Sequence, residues 1–231
     1  DSVRCPCKVC VNSPTKKTQF ARIDIRTAAH VVYDGHEGAR TTCHLFYDKG
    51  QSPEKCEGVV KLTDNEYVII DADNDSCSMI YTTHDLELAE KLEKMTILCR
   101  HLADRLTHKY PSAISGNPRF NSRNSDANSE QSKDTLSPCQ SAPDGWDKLT
   151  IIVSHPHGCS KQVSVGCCTG KDDKQAYLTK YIYNTPTCPG SSGSPVLLLE
   201  GVWGWSCDHA HSGGDGTEEK QLNFSSSGVI F

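Results

Sequence analysis

The densest concentration of reactive chemistry lies at Thr187-Cys188-Pro189-Gly190-Ser191-Ser192-Gly193-Ser194-Pro195-Val196. A Gly-x-Ser-Gly-x-Pro turn directly before an apolar strand can present one serine, Ser192, at its apex. It leaves the backbone N–H groups of Gly190 and Ser192 free to point at a single spot. Convergent donors of that kind stabilise the oxyanion of a tetrahedral intermediate. Glycine suits the turn because no Cβ restricts its backbone. The plainer reading of the same residues is a Ser/Gly turn between strands. Cys188 does not occupy the apex, which sets a thiol nucleophile aside.

A serine hydroxyl attacks poorly without a general base. Among 10 histidines, His30 stands in Arg26-Thr27-Ala28-Ala29-His30-Val31-Val32, after strand-like residues and two alanines that leave room for an imidazole in a cleft wall. A partly buried carboxylate must then hold the ring in the right tautomer. Asp71, Asp73 and Asp75 all follow the apolar run Tyr67–Ile70. Asp75 is preferred because Ser76-Cys77-Ser78-Met79-Ile80 alternates small and apolar residues like a half-buried strand; Asp73 is the alternative.

The elements that would position these groups are mostly strands. Ile23, Ile25, Val31 and Val32 predict strand material around a turn over Phe20–Val32, and Thr42–Tyr47, Glu57–Leu62 and Tyr67–Ile70 predict short strands. The period then changes. Leu88, Leu92, Met95, Cys99, Leu102 and Leu106 recur at three or four residues, one face of a helix, with Asp85 as its cap and Pro111 as its stop. This face suits packing on its own domain; docking of a partner or a second copy through the 84–110 helix is the alternative. Residues 111–145 hold 8 Ser, 4 Asn, 4 Pro and 2 Gly without apolar periodicity, which predicts a flexible loop. β character resumes at Leu149–Ser154, Gln162–Cys167, Ala176–Tyr183, Pro195–Leu199, Val202–Cys207 and Val229–Phe231. The expected organisation is a Cys-rich segment over 1–19 and a first β half carrying His30 and Asp75 over 20–82. A helix-plus-loop insertion over 83–148 and a second β half carrying Ser192 over 149–231 follow.

Composition narrows the function. A chain of 231 residues and 25.3 kDa suits one large or two-lobed domain. Its hydrophobic fraction of 36% and mean hydropathy of -0.52 imply an economical core, or a part of the chain lying outside it. The net charge of -5 and pI of about 6.0 argue against a nucleic-acid binder, which needs a basic surface to displace counterions. No apolar run approaches the roughly 20 residues that span a bilayer, so no membrane segment is expected. Without an initiator Met or a cleavable signal at Asp1, the sequence reads as a mature product or an excised region.

Thirteen cysteines are too few for a disulfide scaffold at roughly 8–10% Cys, and an odd count leaves at least one thiol free or paired between chains. The compartment stays open between a secreted protein with several bridges and an intracellular one with buried thiols. Cys5-x-Cys7-x₂-Cys10 could supply three thiolates to zinc, with a Cys or His elsewhere as fourth ligand. A complete second knuckle is missing, so disulfides or free thiols are the preferred reading and no metal is assigned.

Four motifs in one order resemble the chymotrypsin-fold serine peptidases, closest to the HtrA-type non-zymogen branch. Thr27-Ala28-Ala29-His30 is similar to that family's T-A-A-H motif, and Asp75-Ser76-Cys77 to its D-x-A stretch. His155-Pro156-His157-Gly158 leading to Lys161-Gln162-Val163-Ser164-Val165-Gly166 is similar to the segment that opens its second barrel. Gly190–Pro195 resembles its G-x-S-G-x-P motif. The resemblance spans residues 27–196. It implies a mainly β fold of two six-stranded-type barrels with a helical and disordered insertion between them. It also implies Ser192 as nucleophile, His30 as general base then acid, Asp75 as orienting carboxylate, and the Gly190 and Ser192 amides as oxyanion hole. The implied reaction is endopeptidase hydrolysis of proteins or peptides through an acyl-enzyme, with no cofactor. Similarity to intracellular and periplasmic relatives points to an intracellular setting, with secretion as the alternative.

The chain also departs from the family. Ser191 replaces the aspartate that pairs with a released N-terminus in secreted trypsins. Pro186, six residues before the nucleophile, brings no acid to the base of the specificity pocket, so trypsin-like preference is not expected. A gap-free extension places Cys207, Asp208 and His209 along the substrate-side strand, and a Cys188–Cys207 bridge would shape the pocket wall. The segment before His30 is short for a first barrel. An inactive pseudo-peptidase serving as a binding scaffold is the alternative function.

Overall fold

The computed structural model describes residues 4–15, 17–109, 148–175, 178–198, 209–217 and 220–229. The loop expected over 111–145, Pro111 and the strand expected over Val202–Cys207 lie outside the described residues. The fold is mainly β.

The first half contains β1 (Ala21–Thr27), β2 (Cys43–Leu45), β3 (Val60–Leu62), β4 (Tyr67–Asp71) and β5 (Ser76–Thr83). Strands β1, β5 and β4 form one antiparallel sheet in that order, while β2 and β3 pair as a separate ribbon. Within the described residues this half is therefore two small sheets rather than one six-stranded sheet. The long polar stretch Asp48–Gly58 between β2 and β3 leaves each only three residues to pair. On β5 the alternation read from the sequence is realised. Cys77, Met79 and Tyr81 are buried against Ile23, Val32, Leu62 and Leu88, as a period of two requires when one face meets the core.

Helix α1 is the short turn Lys8–Val11, α2 is Gly35–Gly38, and α3 runs Leu86–Lys109. Asp85 caps α3 by accepting the Leu88 backbone N–H at 2.9 Å, which satisfies an orphan donor of the first turn. Only the start of the apolar stripe reaches the sheet: Leu88 is buried and Leu92 packs beside it. Met95, Leu98 and Leu102 remain exposed. None of the described helices is long and apolar enough to cross a membrane.

The second half is one antiparallel sheet, curled into a half-barrel. It comprises β6 (Lys148–Ser154), β7 (Gln162–Gln175), β8 (Leu178–Tyr183), β9 (Val196–Leu198), β10 (His211–Thr217), β11 (Lys220–Ser225) and β12 (Gly228–Val229). The order is β10-β11-β8-β7-β6-β9, with β12 pairing β8. Ile152, Cys168, Tyr181, Tyr183, Val196 and Leu198 form its core. Gly166 on β7 allows a close crossing, since a Cβ there would lie 2.5 Å from Thr185 Cα. The β10–β11 hairpin was not expected, because His211-Ser212-Gly213-Gly214 carries no β-branched or alternating pattern.

Candidate active site and a separate thiol cluster

Register brings His30 and Asp75 together. Thr27, at the end of β1, faces Cys77 near the start of β5. The residues just past one strand and just before the other therefore meet at the same sheet end. Asp75 has φ +49°, a left-handed turn conformation that Asp tolerates better than most side chains. Its Oδ1 accepts the His30 backbone N–H at 3.0 Å, and its two oxygens lie 3.0 and 2.9 Å from His30 Nδ1. A carboxylate can only accept, so the proton shared in this contact is carried by Nδ1. Asp75 Oδ2 also accepts from the Ser212 hydroxyl on β10. The side chains are 45% exposed for His30 and 23% for Asp75, so the orienting carboxylate is the better shielded of the two. Of the neighbouring acids, Asp71 is committed to its own turn, accepting from Asn74 N at 3.1 Å and Asn74 Nδ2 at 2.7 Å. Asp73 is exposed.

The Ser192 turn belongs to the second half but packs against the first. Gly190 and Gly193 have φ of +94° and +81°. A Cβ on Gly190 would lie 2.9 Å from the His155 carbonyl oxygen, and one on Gly193 would lie 2.0 Å from Thr27 Oγ1. Gly193 therefore touches the strand end that leads to His30. The turn is tied to the chain at β10 by Gly193 N–H to the His211 carbonyl (2.8 Å) and His211 N–H to the Ser194 carbonyl (2.7 Å). Ser191 is buried, and its hydroxyl donates to Ser154 Oγ at 3.2 Å, which fastens the turn to β6.

The amides of Ser191, Gly193 and Ser194 are all bonded, whereas those of Gly190 and Ser192 donate to no group among the described residues. Two unspent donors on either side of a bonded one are what a developing oxyanion requires. No hydrogen bond among the described residues joins Ser192 to His30. Such contacts are often long before substrate arrives.

The segment from His155 to Gly158 supports the turn from below. His157, at φ +54°, donates its N–H to the Pro189 carbonyl at 2.6 Å. His155 stacks on Tyr47 of the first half with ring centroids 5.4 Å apart.

His211 was not singled out from the sequence, yet it adjoins the site. It is 4% exposed, and its Nδ1 lies 2.8 Å from the Tyr183 hydroxyl. Burial, with the nearby His30 adding a smaller effect, pushes its pKa down to about 4, so it stays neutral at pH 7. Burial also raises the Tyr183 hydroxyl well above its ordinary range.

Of the expected pocket residues, Pro186 is exposed, and Cys207 and Asp208 lie outside the described residues. His209 is buried, donates from Nε2 to the Thr179 carbonyl at 2.9 Å and packs on Tyr181, so it serves the core of the sheet. The expected Cys188–Cys207 bridge is not formed: Cys188 is an exposed free thiol on the rim of the turn, while Cys167 is disulfide-bonded.

A second concentration of chemistry lies at the far end of β5. Cys5, Cys7, Cys10 and His84 form a cluster that could hold a metal ion. His84 sits between β5 and α3, one residue before the helix cap Asp85. A histidine at a strand end, given three cysteines wanting a fourth ligand, was the missed signal. Comparison with known proteins adds no assignment: no protein family matches the chain, and no curated protein is found to be similar to it.

Proposed function

We propose that the protein is a serine endopeptidase that hydrolyses peptide bonds through an acyl-enzyme. The observation that carries this reading is the His30–Asp75 pair set beside a serine turn with two unspent amides. Ser192 Oγ attacks the scissile carbonyl while His30 Nε2 takes its proton. Asp75 holds the imidazolium, and the Gly190 and Ser192 N–H groups receive the oxyanion. His30 then returns the proton to the departing amine, and a water activated by the same imidazole releases the acid. A neutral His211 suits this cycle, since a second positive ring nearby would oppose the charge that His30 must acquire. Pro186, rather than an acid, stands six residues before Ser192, so Lys and Arg side chains are not the preferred ones at the cleaved bond.

The finer architecture under this reading is the two-barrel chymotrypsin type, with the site between the halves. Support comes from the curled second sheet and from Ser212 reaching across to Asp75. The test is cleavage of a quenched-fluorescent peptide library by the wild type and by Ser192→Ala. Turnover confined to the wild type sustains the proposal; equal turnover, or none from folded protein, overturns it.

One observation favours a second reading. Ser192 makes no hydrogen bond to His30 among the described residues, as expected of a pseudo-peptidase whose fold serves as a binding scaffold. In that case captured peptides would be retained uncut by wild type and Ser192→Ala alike.

A further inference from the structure

The N-terminal segment is held in place in a way that its apolar residues do not explain. Helix α1 has four residues, far too short to stand alone. Its valines point outward, with Val9 78% and Val11 53% exposed. The Lys8–Asp64 ion pair is exposed on both sides, and such pairs contribute little. What the segment buries is thiol: Cys5 and Cys10 are 1% and 3% exposed.

Those thiols converge on one histidine. His84 Nε2 lies 3.1 Å from Cys5 Sγ and 3.4 Å from Cys10 Sγ. Together with Cys7 Sγ, the four ligand atoms all fall within 4.8 Å of one another. Around tetrahedral zinc, with Zn–S of about 2.3 Å and Zn–N of about 2.0–2.1 Å, ligand atoms stand roughly 3.5–3.8 Å apart. The two His84 contacts fall just below that spacing and the 4.8 Å bound lies above it, so small side-chain adjustments would bring all four onto one ion. Cys7 also caps α1, its sulfur accepting the Cys10 N–H at 3.4 Å, a contact that suits a thiolate carrying negative charge. All four residues are free of disulfides or offer no thiol to form one.

We propose that Cys5, Cys7, Cys10 and His84 bind one zinc ion, which pins the N-terminal segment to the junction of β5 and α3. Three thiolates and an imidazole are a soft set that selects zinc over magnesium or calcium. Four protein ligands, two of them buried, close the site to water, so the metal is structural. β5 separates it from Asp75 by eight residues, about 26 Å of extended chain. The zinc site is independent of the peptidase reading.

The test is metal analysis of the full chain, free of any affinity tag, with cobalt substitution as a second readout. Expected are one zinc per chain and, after exchange, a thiolate-to-cobalt charge-transfer band with intense tetrahedral ligand-field bands. Cys7→Ser and His84→Ala should weaken zinc by an order of magnitude or more against a chromophoric chelator. His84→Cys, which keeps four soft ligands, should retain it, so loss of fold is told apart from loss of a ligand. Folded wild type without stoichiometric metal, a disulfide among Cys5, Cys7 and Cys10, or unchanged affinity in His84→Ala would overturn the assignment.

Discussion

The hydroxyl of Ser212, on a strand of the second half, donates to Oδ2 of Asp75, at the mouth of a turn in the first. The same carboxylate accepts the backbone N–H and ring Nδ1 of His30. One group thus gathers donors from both halves of the chain, and its orientation depends on how those halves sit together.

Removing that donor should loosen the carboxylate without deleting a reacting atom. A hydrogen bond to a charged group is worth about 1.5–3 kcal/mol, or about 10- to 100-fold in rate. Ser212→Ala should slow fluorophosphonate labelling of Ser192 by that factor, with Ser212→Thr restoring most of it. The pH at half-maximal labelling should also move, which a purely structural role for Ser212 would not cause.

Gly193 has the least room of any described glycine near the site. Its left-handed φ and the 2.0 Å approach of Thr27 Oγ1 to a built Cβ leave no place for a side chain. Gly193→Ala should cost about 2 kcal/mol or more, read as a fall in the thermal midpoint. An unchanged midpoint would mean that the two halves do not touch here.

His211 predicts an acid-side loss of stability. Its folded pKa of about 4 lies below the ordinary 6.5, so the unfolded chain binds the extra proton between those values. The contribution of the neutral ring is complete above pH 6.5 and drains away as pH falls toward 4, a loss of about 3 kcal/mol. The expected result is a denaturation midpoint that falls over this range in wild type and falls less in His211→Gln. Parallel curves for the two proteins would contradict it.

The meeting of His30 with Asp75 could be read from residue order, and what could not has physical causes. His30 and Asp75 were legible because strands β1 and β5 carry apolar alternation, and antiparallel pairing brings their ends together. The Ser192 turn was legible from its glycines, whose left-handed angles and close contacts leave few alternatives. Ser212 and His211 were not, because β10 is built of Ser, Gly and Asp and is held by its neighbours rather than by propensity. Helix α3 began where Asp85 predicted, yet among the described residues only Leu88 and Leu92 of its apolar stripe pack on the sheet; periodicity tells which residues share a face, not what covers it. In the first half β2 and β3 each keep only three paired residues, so its described strands form two small sheets whose separation the residue pattern did not reveal.

Zinc removal gives an independent prediction. Chelation should lower the thermal midpoint and expose the segment around Cys5–Cys10 to protease first, since its buried side chains among the described residues are the ligand thiols Cys5 and Cys10. Labelling of Ser192 at temperatures where the stripped protein stays folded should persist, because β5 separates the two sites.

If Ser192 and His30 act as nucleophile and base, an active-site fluorophosphonate should react with the resting protein. One covalent adduct per chain is expected, located on Ser192 by peptide mass mapping, absent in Ser192→Ala and nearly absent in His30→Ala. Folded wild-type protein that takes up no label, or label that survives in both variants, would contradict it.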